Sequence, residues 1–491
     1  MNQMAVTKKS GVARAEIVAI VGGGFAGAAV AFHLARAGQP SVVIEPRPVL
    51  GGGLAYSTAD PSHRINVPAA RMSLVPDEPD HFVRWLARTG ALRSDTQALR
   101  PNGDVYPRRA VFGRYVAEHL APFRRIGLVR HVEALACRIH RLDDHAGWRI
   151  EPSSGDAVEA GRLVLAATHP LPALPRALGA LHDSDALVGN PYAADALERI
   201  GRDASVLILG SGLTAADMVA GLDAAGHRGP ITMLSRRGLR SRGHAPRPAE
   251  PLGDFSREPA RDVPALLASI RSALTQARAE GLSWHPVFDA LRNQGSAIWA
   301  ALPPAERARL VSRLRPFWDV HRFRIAPQVE AVLDGRVADG TLRQEAGRVL
   351  SAAPAPGGRI AVTWRPRGRV LEEAATFDAV INTTGPAHGE ALARNPALRS
   401  LAAAGFIGPD PYGLGIATSL CSRAIDAANA PMPDLFVAGP LARGTFGELM
   451  GLPEVSRHAE VVAAEILASL ASPAAPGFAI EAAQAPAADG L

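Results

Sequence analysis

A chain of 491 residues that is 47% apolar and 20% charged has the composition of a globular protein with room for two or three domains and a large core. Its net charge of +6 forms no nucleic-acid footprint: after Lys9 every lysine-or-arginine position is arginine, scattered among acids, and the one denser group, Arg236, Arg237, Arg240 and Arg242, suits a local anion site. The only cysteines, Cys137 and Cys421, lie far apart, which excludes a dithiol centre and a four-cysteine zinc site; redox chemistry would need a bound cofactor, and no metal site is expected.

In chain order, residues 1–15 lack hydrophobic periodicity and are read as a disordered N-terminus. The apolar stretch 17–34 is broken by glycines and preceded by Arg14 and Glu16, so it is not a signal peptide. No run approaches the roughly 18 apolar residues of a membrane helix, and the expectation is a cytoplasmic protein without membrane contact.

Ile17-Val18-Ala19-Ile20-Val21 is β-branched and suits a buried parallel strand. It runs directly into Gly22-Gly23-Gly24-Phe25-Ala26-Gly27, after which Ala28, Ala31, Leu34 and Ala35 keep helical spacing, Gly38 stops the helix, and Val42-Val43-Ile44 leads to Glu45. This is a complete Rossmann fingerprint: Gly22 for the tight turn, Gly24 for close approach of a pyrophosphate, Gly27 for helix–strand packing, and Glu45 for a ribose diol. FAD is assigned here, with Phe25 and Ala26 completing the loop. Residues 51–73 suit a loop running from pyrophosphate to flavin ring, with Gly52, Asn66, Arg71, Met72 and Ser73 as candidate contacts. For His63, loop capping and a place at the redox site are both open.

The pattern recurs at Val206-Leu207-Ile208-Leu209 and Gly210-Ser211-Gly212-Leu213-Thr214-Ala215, with a helix from Asp217 to Leu222. The next strand, Ile231-Thr232-Met233-Leu234, ends in Ser235-Arg236-Arg237 where the first unit has its acid. A guanidinium at that place can grip a 2′-phosphate, so Gly210, Gly212, Leu213, Thr214, Ser235, Arg236 and Arg237 are assigned to NADPH. One chain with both sites divides the labour between a held flavin and a hydride donor.

Residues 252–331 change to amphipathic helices carrying Trp284, Trp299 and Trp318, read as core aromatics rather than a substrate cage. Arg322 and Arg324 could anchor a substrate carboxylate or form surface ion pairs. Strands are expected at 359–364 and 370–377. Phe377-Asp378-Ala379-Val380-Ile381-Asn382 is read as the return into the FAD domain, and Leu435-Phe436-Val437-Ala438 as its last strand, ending at Gly439. A helix opened by Pro453-Glu454 runs to about Leu470. Its positive end would stabilise a reduced flavin.

The predicted fold class is α/β: two Rossmann-like three-layer dinucleotide-binding domains of glutathione-reductase-like architecture with a helical insertion. The expected boundaries are 16–170 for the first part of the FAD domain and 190–253 for the first part of the NADPH domain. The helical insertion takes 254–331, connecting strands of the NADPH domain 332–376, the second part of the FAD domain 377–470, and a disordered tail 471–491.

The chain resembles the two-dinucleotide-binding flavoproteins that include flavin-containing, amine N-hydroxylating and Baeyer–Villiger monooxygenases, and more closely a bacterial FAD/NAD(P)-binding group. The likeness rests on Gly51-Gly52-Gly53-Leu54-Ala55-Tyr56-Ser57-Thr58, Asn66-Val67-Pro68, Arg71-Met72-Ser73, Pro107-Arg108-Arg109, Ser235-Arg236-Arg237-Gly238 and Val320-His321-Arg322-Phe323-Arg324. It continues through Asn382-Thr383-Thr384-Gly385-Pro386 and Ala438-Gly439-Pro440-Leu441-Ala442-Arg443-Gly444. The resemblance implies that Gly385, Gly439 and Pro440 border the FAD. Two departures stand out: His169 replaces the usual glycine of the first crossover, and the F-x-G-x-x-x-H-x-x-x-[WY] fingerprint of flavin monooxygenases is absent between His169 and Tyr192.

The leading expectation is an NADPH-dependent monooxygenase that uses O₂ and a C4a-hydroperoxyflavin to oxygenate a small nucleophile such as an amine. No side-chain triad is demanded by that chemistry, and no catalytic residue is assigned. An NAD(P)H dehydrogenase or reductase passing electrons to a quinone or protein acceptor, and a non-catalytic flavin-binding regulator, remain open.

Overall fold

The computed structural model describes residues 14–143, 147–167, 170, 172–385 and 388–471. His169 and Pro386 fall outside them, as do nearly all of the two expected disordered ends. Within 1–15, Arg14 is already part of a 3₁₀ turn, Arg14–Glu16, whose Arg14 carbonyl accepts from the Gly161 N–H at 3.0 Å; at the other end the last helix, Leu452–Ala471, takes in Ala471.

The central strands of the two sheets, Val18–Val21, Ser41–Ile44, Val206–Leu209 and Ala379–Asn382, are short apolar runs buried on both faces, as parallel strands covered by helices are. The first sheet has the order Arg423–Ile425, Pro431–Val437, Arg162–Leu165, Val18–Val21, Ser41–Ile44, Val129–Val132, parallel except at its Arg423–Ile425 edge. The helix Phe25–Arg36 lies on it and packs against the last helix. A three-stranded antiparallel meander, Ala136–Arg141, Trp148–Pro152 and Val158–Ala160, fills the crossover between Val129–Val132 and Arg162–Leu165.

The second sheet has the order Glu373–Phe377, Arg359–Pro366, Leu342–Ala355, Ile231–Ser235, Val206–Leu209, Ala379–Asn382, Leu187–Val188. Its first three strands pair antiparallel and the rest run parallel. Here the sequence reading needs a correction. Ala379–Asn382 does not return to the first sheet but lies beside Val206–Leu209 in the second. A four-residue run buried throughout carries no period-2 signal to say which sheet it joins. The second unit also begins earlier than residue 190, at Leu187–Val188.

The helical insertion sits inside the crossover from Ile231–Ser235 to the parallel strand Leu342–Ala355. Its closing helix, Pro327–Ala338, crosses the expected boundary at 331 and packs on the helix Leu213–Ala224, which makes it the covering helix of the second sheet. The preceding helices have a small core of their own around Leu266, Val287, Leu291 and Leu302.

Candidate functional site

Gly22 holds φ +105°, and a Cβ on it would stand 2.4 Å from the Ala166 carbonyl oxygen, so only glycine turns the chain out of Val18–Val21 there. A Cβ on Gly27 would stand 1.9 Å from the Gly22 carbonyl oxygen; this is the close helix–strand packing expected of it. Gly24 differs, since its Cβ would meet only the Gly53 Cα, at 3.4 Å. Gly53 and Gly24 lie backbone to backbone, so the 51–53 turn is set against the glycine loop, with Gly52 between Gly51 and that contact. From the far end of the chain Gly439, at φ +74°, packs on Ala26 with 2.7 Å between its would-be Cβ and the Ala26 Cβ. Thus Gly22, Gly24, Ala26, Gly27, Gly52 and Gly439 are gathered at one end of the first sheet, beside the amino terminus of Phe25–Arg36.

Glu45 is 4% exposed. Its Oε2 accepts from the Gly23 N–H at 2.8 Å, while Oε1 accepts from the Arg47 N–H and guanidinium at 3.1 and 2.8 Å. The carboxylate therefore shapes the loop. Met72 is 2% exposed and belongs to the packed core; Ser73 exchanges hydrogen bonds with the Val75 carbonyl and N–H at 2.6 and 3.0 Å. For these two candidates only backbone atoms remain for a flavin.

In the second unit Gly210, at φ +125°, abuts the Thr383 carbonyl, 2.5 Å from its would-be Cβ. Gly385, at φ +89°, follows two residues after Thr383, with nothing within 4 Å of a Cβ built on it. Nothing lies within 4 Å of a Cβ built on Gly212, the residue before Leu213–Ala224. Ser235 closes its turn by accepting from Ser211 Oγ at 2.7 Å and from the Gly238 N–H at 3.0 Å. Arg236 is exposed and makes no ion pair among the described residues, whereas the Arg237 guanidinium stacks over Phe317 at 4.8 Å. The two arginines are thus unequal. Tyr192, not singled out from sequence, reaches Thr214 through its hydroxyl at 3.2 Å.

The two units meet at a buried ion pair. Arg109 forms a fork with Asp217, 2.8 Å at Nη1 and 3.0 Å at Nη2, and its Nε donates to the Arg64 carbonyl at 2.8 Å. His63 stands at this seam, 2.9 Å from Thr58 Oγ1 and 3.6 Å from Asp60, in a loop-holding position.

A small polar cavity is bordered by Asn66, Arg71, His244, Arg292 and Arg324. The Asn66 carbonyl accepts from His244 Nε2 at 2.9 Å, and burial pushes His244 down to about 4, so the imidazole is the neutral donor. Arg322 and Arg324 are not surface pairs. Arg322, with a side chain 3% exposed, is held by Glu448 at 2.7 Å and Glu454 at 3.1 Å; Arg324 pairs with Asp289 at 2.8 Å. Arg322 spends its guanidinium on two internal carboxylates, whereas Arg324, paired with Asp289 through Nη1 and Nη2, keeps its Nε buried without a hydrogen-bond partner. Arg292 joins Glu454 at 2.7 Å, so cations cluster at the start of the last helix, where the dipole is positive too. Of the insertion aromatics, Trp284 stacks on His285, while Trp299 and Trp318 line an apolar cavity rather than a closed core. Among the described residues no group of His, Cys, Asp or Glu is placed to hold a metal, and no helix is long and apolar enough to cross a membrane.

Residues 19–170 match the model of a family described as FAD-NAD(P)-binding. No curated protein matches the sequence. Among solved structures the chain is similar to the ornithine hydroxylase PvdA of Pseudomonas aeruginosa, with 16% identity over 93% of this chain and 99% of that one and a TM-score of 0.64. It is also similar to DfoA, the FAD-bound cadaverine monooxygenase of Erwinia amylovora, with 14% identity over 96% and 99% and a TM-score of 0.63. The ornithine N-hydroxylase KtzI of Kutzneria sp. 744, solved with reduced FAD, NADP⁺ and L-ornithine, is 16% identical over 93% and 98%, with a TM-score of 0.57. The chain has the two-dinucleotide-binding flavoprotein fold.

Proposed function

We propose that the protein is an FAD- and NADPH-dependent monooxygenase acting on a small nucleophile, of which an amine is one. The observation that carries the reading is the contrast between the loops: the first joins Gly24, Gly53 and Gly439 around a buried Glu45, the second leaves Gly212 open beside an exposed Arg236. The first arrangement suits a ribose diol and a tightly held pyrophosphate; the second suits a 2′-phosphate on an exchanging cofactor. The residues fit these groups: the space that a Cβ on Gly24 or Gly212 would fill is where a phosphate would approach a helix amino terminus.

FAD, when bound, would take hydride from NADPH and supply electrons to oxygen. This chain's own part is to orient and to exclude water. Gly24 and the first turn of Phe25–Arg36 would hold the diphosphate, and Glu45 the adenine-side ribose. Asn66 and Arg71 would border the ring. The positive end of the last helix, beside which Arg292 and Arg322 are paired with Glu448 and Glu454, would lie where negative charge would develop on reduction.

The test is stoichiometry in flavin-loaded protein supplied with NADPH, O₂ and a panel of amines, sulfides and ketones. A monooxygenase consumes one NADPH and one O₂ per oxygenated product for at least one panel member. Quantitative hydrogen peroxide with every compound, alongside fast electron transfer to a quinone, would replace it with a reductase.

A further inference from the structure

Arg443 is 6% exposed, and its Nε and Nη1 are buried without a hydrogen-bond partner. Among the described residues no carboxylate lies within ion-pair distance of it. The neighbouring carboxylates pair with other arginines: Asp319 through Oδ2 with Arg315 at 3.3 Å, its Oδ1 staying buried without a hydrogen-bond partner, Glu448 with Arg322 at 2.7 Å, and Glu454 with Arg292 at 2.7 Å and Arg322 at 3.1 Å. Asp410, which packs against Gly444, spends its carboxylate on the N–H groups of Tyr412, Leu414 and Gly415. Among the described residues Arg292, Arg315 and Arg322 each have a carboxylate partner, and Arg443 beside them has none. Burial pushes Arg443 down to about 10, which still leaves it charged at neutral pH. A buried, unpaired and unbonded guanidinium is costly, and its cost falls when an anion with two oxygens meets it.

Arg443 borders a cavity of about 220 Å³ whose wall is chiefly leucine, isoleucine and aromatic side chains, with Arg315 and Glu448, each ion-paired to another residue, also at its edge. Trp299 is fixed in that wall by an Nε1 hydrogen bond to the Gly444 carbonyl at 3.0 Å and by Gly447 beneath its ring; Trp318 donates to Glu448 at 3.3 Å. The space exceeds the ~150 Å³ that admits a benzene ring. Phe288 and His321 line both this cavity and the small polar one that includes Asn66 and Arg71, so one wall separates the apolar chamber from the proposed flavin side.

We propose that this chamber binds an apolar monocarboxylate, its carboxylate on Arg443 and its hydrocarbon or aryl body between Trp299 and Trp318. This deepens the proposed function by naming the class of molecule presented to the flavin, and it rests on that reading for the role of the occupant but not for its binding. A basic diamine suits the chamber less well, because its charge would meet the unpaired Arg443 guanidinium.

The experiment titrates flavin-loaded full-length protein, without NADPH, with 4-phenylbutyrate, its neutral amide and 4-phenylbutylamine, followed by tryptophan fluorescence and equilibrium dialysis. The acid should bind about ten- to a hundredfold more tightly than the amide, the range of a charge-assisted hydrogen-bond pair, and the amine more weakly still. Arg443→Met should bring acid and amide together, Arg443→Lys should restore part of the preference, and Ile298→Trp should abolish binding of all three by filling the chamber. Amine or amide binding as tight as the acid in the unmodified protein would overturn the proposal, even where no Arg443 variant folds. So would an acid preference that survives in Arg443→Met. Because no turnover is measured, failure here with coupled NADPH and O₂ consumption intact removes the ligand class alone. Carboxylate binding without such consumption removes only the monooxygenase.

Discussion

Gly24 and Gly27 sit three residues apart in one turn, yet their surroundings assign them different work. A methyl at Gly27 has to displace the Gly22 carbonyl, a backbone atom that cannot move without opening the strand–helix junction, whereas a methyl at Gly24 meets the Gly53 Cα at an ordinary 3.4 Å. Gly27→Ala should therefore lower thermal stability and soluble yield. Gly24→Val should leave a folded but colourless protein, because its branch occupies the space assigned to pyrophosphate. Retention of full flavin absorbance by Gly24→Val would move the FAD elsewhere. The same unequal reading applies to Arg236 and Arg237. Arg237 is engaged with Phe317 and Arg236 is not, so Arg236→Ala alone should weaken NADPH by about one to two decades, the loss of ~1.5–3 kcal/mol from a charge-assisted contact, and spare NADH. Nicotinamide Kd values for both cofactors check this; an equal loss for NADH would make Arg236 a structural residue.

At the scale of elements, the two sheets are coupled through Arg109, at the start of helix Arg109–Arg125, and Asp217, inside Leu213–Ala224. Asp217→Asn keeps the shape but strands a guanidinium whose side chain is 13% exposed, so a loss of about 3–5 kcal/mol is expected, visible as a lower urea midpoint. Asp217→Leu combined with Arg109→Met removes both charges and should recover much of it; a double variant no more stable than Asp217→Asn would argue against the ion-pair account. Neither partner of this pair was legible as a pair in the sequence. The glycine loops, their strands and the last helix were, because their signals are local: a β-branched run, a fixed glycine spacing, a helical stripe. What escaped depends on contacts between distant segments. Ala379–Asn382 carries no mark of its sheet, and Arg443 stood in a recognised motif without any sign that two of its nitrogens would be buried unpartnered.

For the molecule as a whole, acid is the condition to which the architecture is most exposed. His33 and His458 are 8% and 6% exposed, and burial pushes each down to about 4 from an unfolded value near 6.5. His458 also ties the site together. Its Nδ1 accepts from the Gly439 N–H at 3.1 Å and so carries no proton, which leaves Nε2–H to donate to Ser422 Oγ at 3.0 Å. A depressed histidine pKa means that the unfolded chain binds the proton first. Stability is then complete above about pH 6.5 and falls as pH drops from there toward 4, by up to about 3 kcal/mol for each of the two residues. Protonation of folded His458 at Nδ1, which sets in near pH 4, would also remove the acceptor that holds the Gly439 turn against Ala26, so flavin release should begin at the low end of that window. Thermal unfolding and flavin fluorescence between pH 8 and pH 4 give both curves. His458→Gln should start from a lower Tm at neutral pH because it loses packing. Its stability should then decline less steeply in acid, by nearly one proton's worth of slope, since the titrating group is gone. An acid slope unchanged in His458→Gln, or flavin release from still-folded protein well above pH 4, would show that another group sets the acid limit.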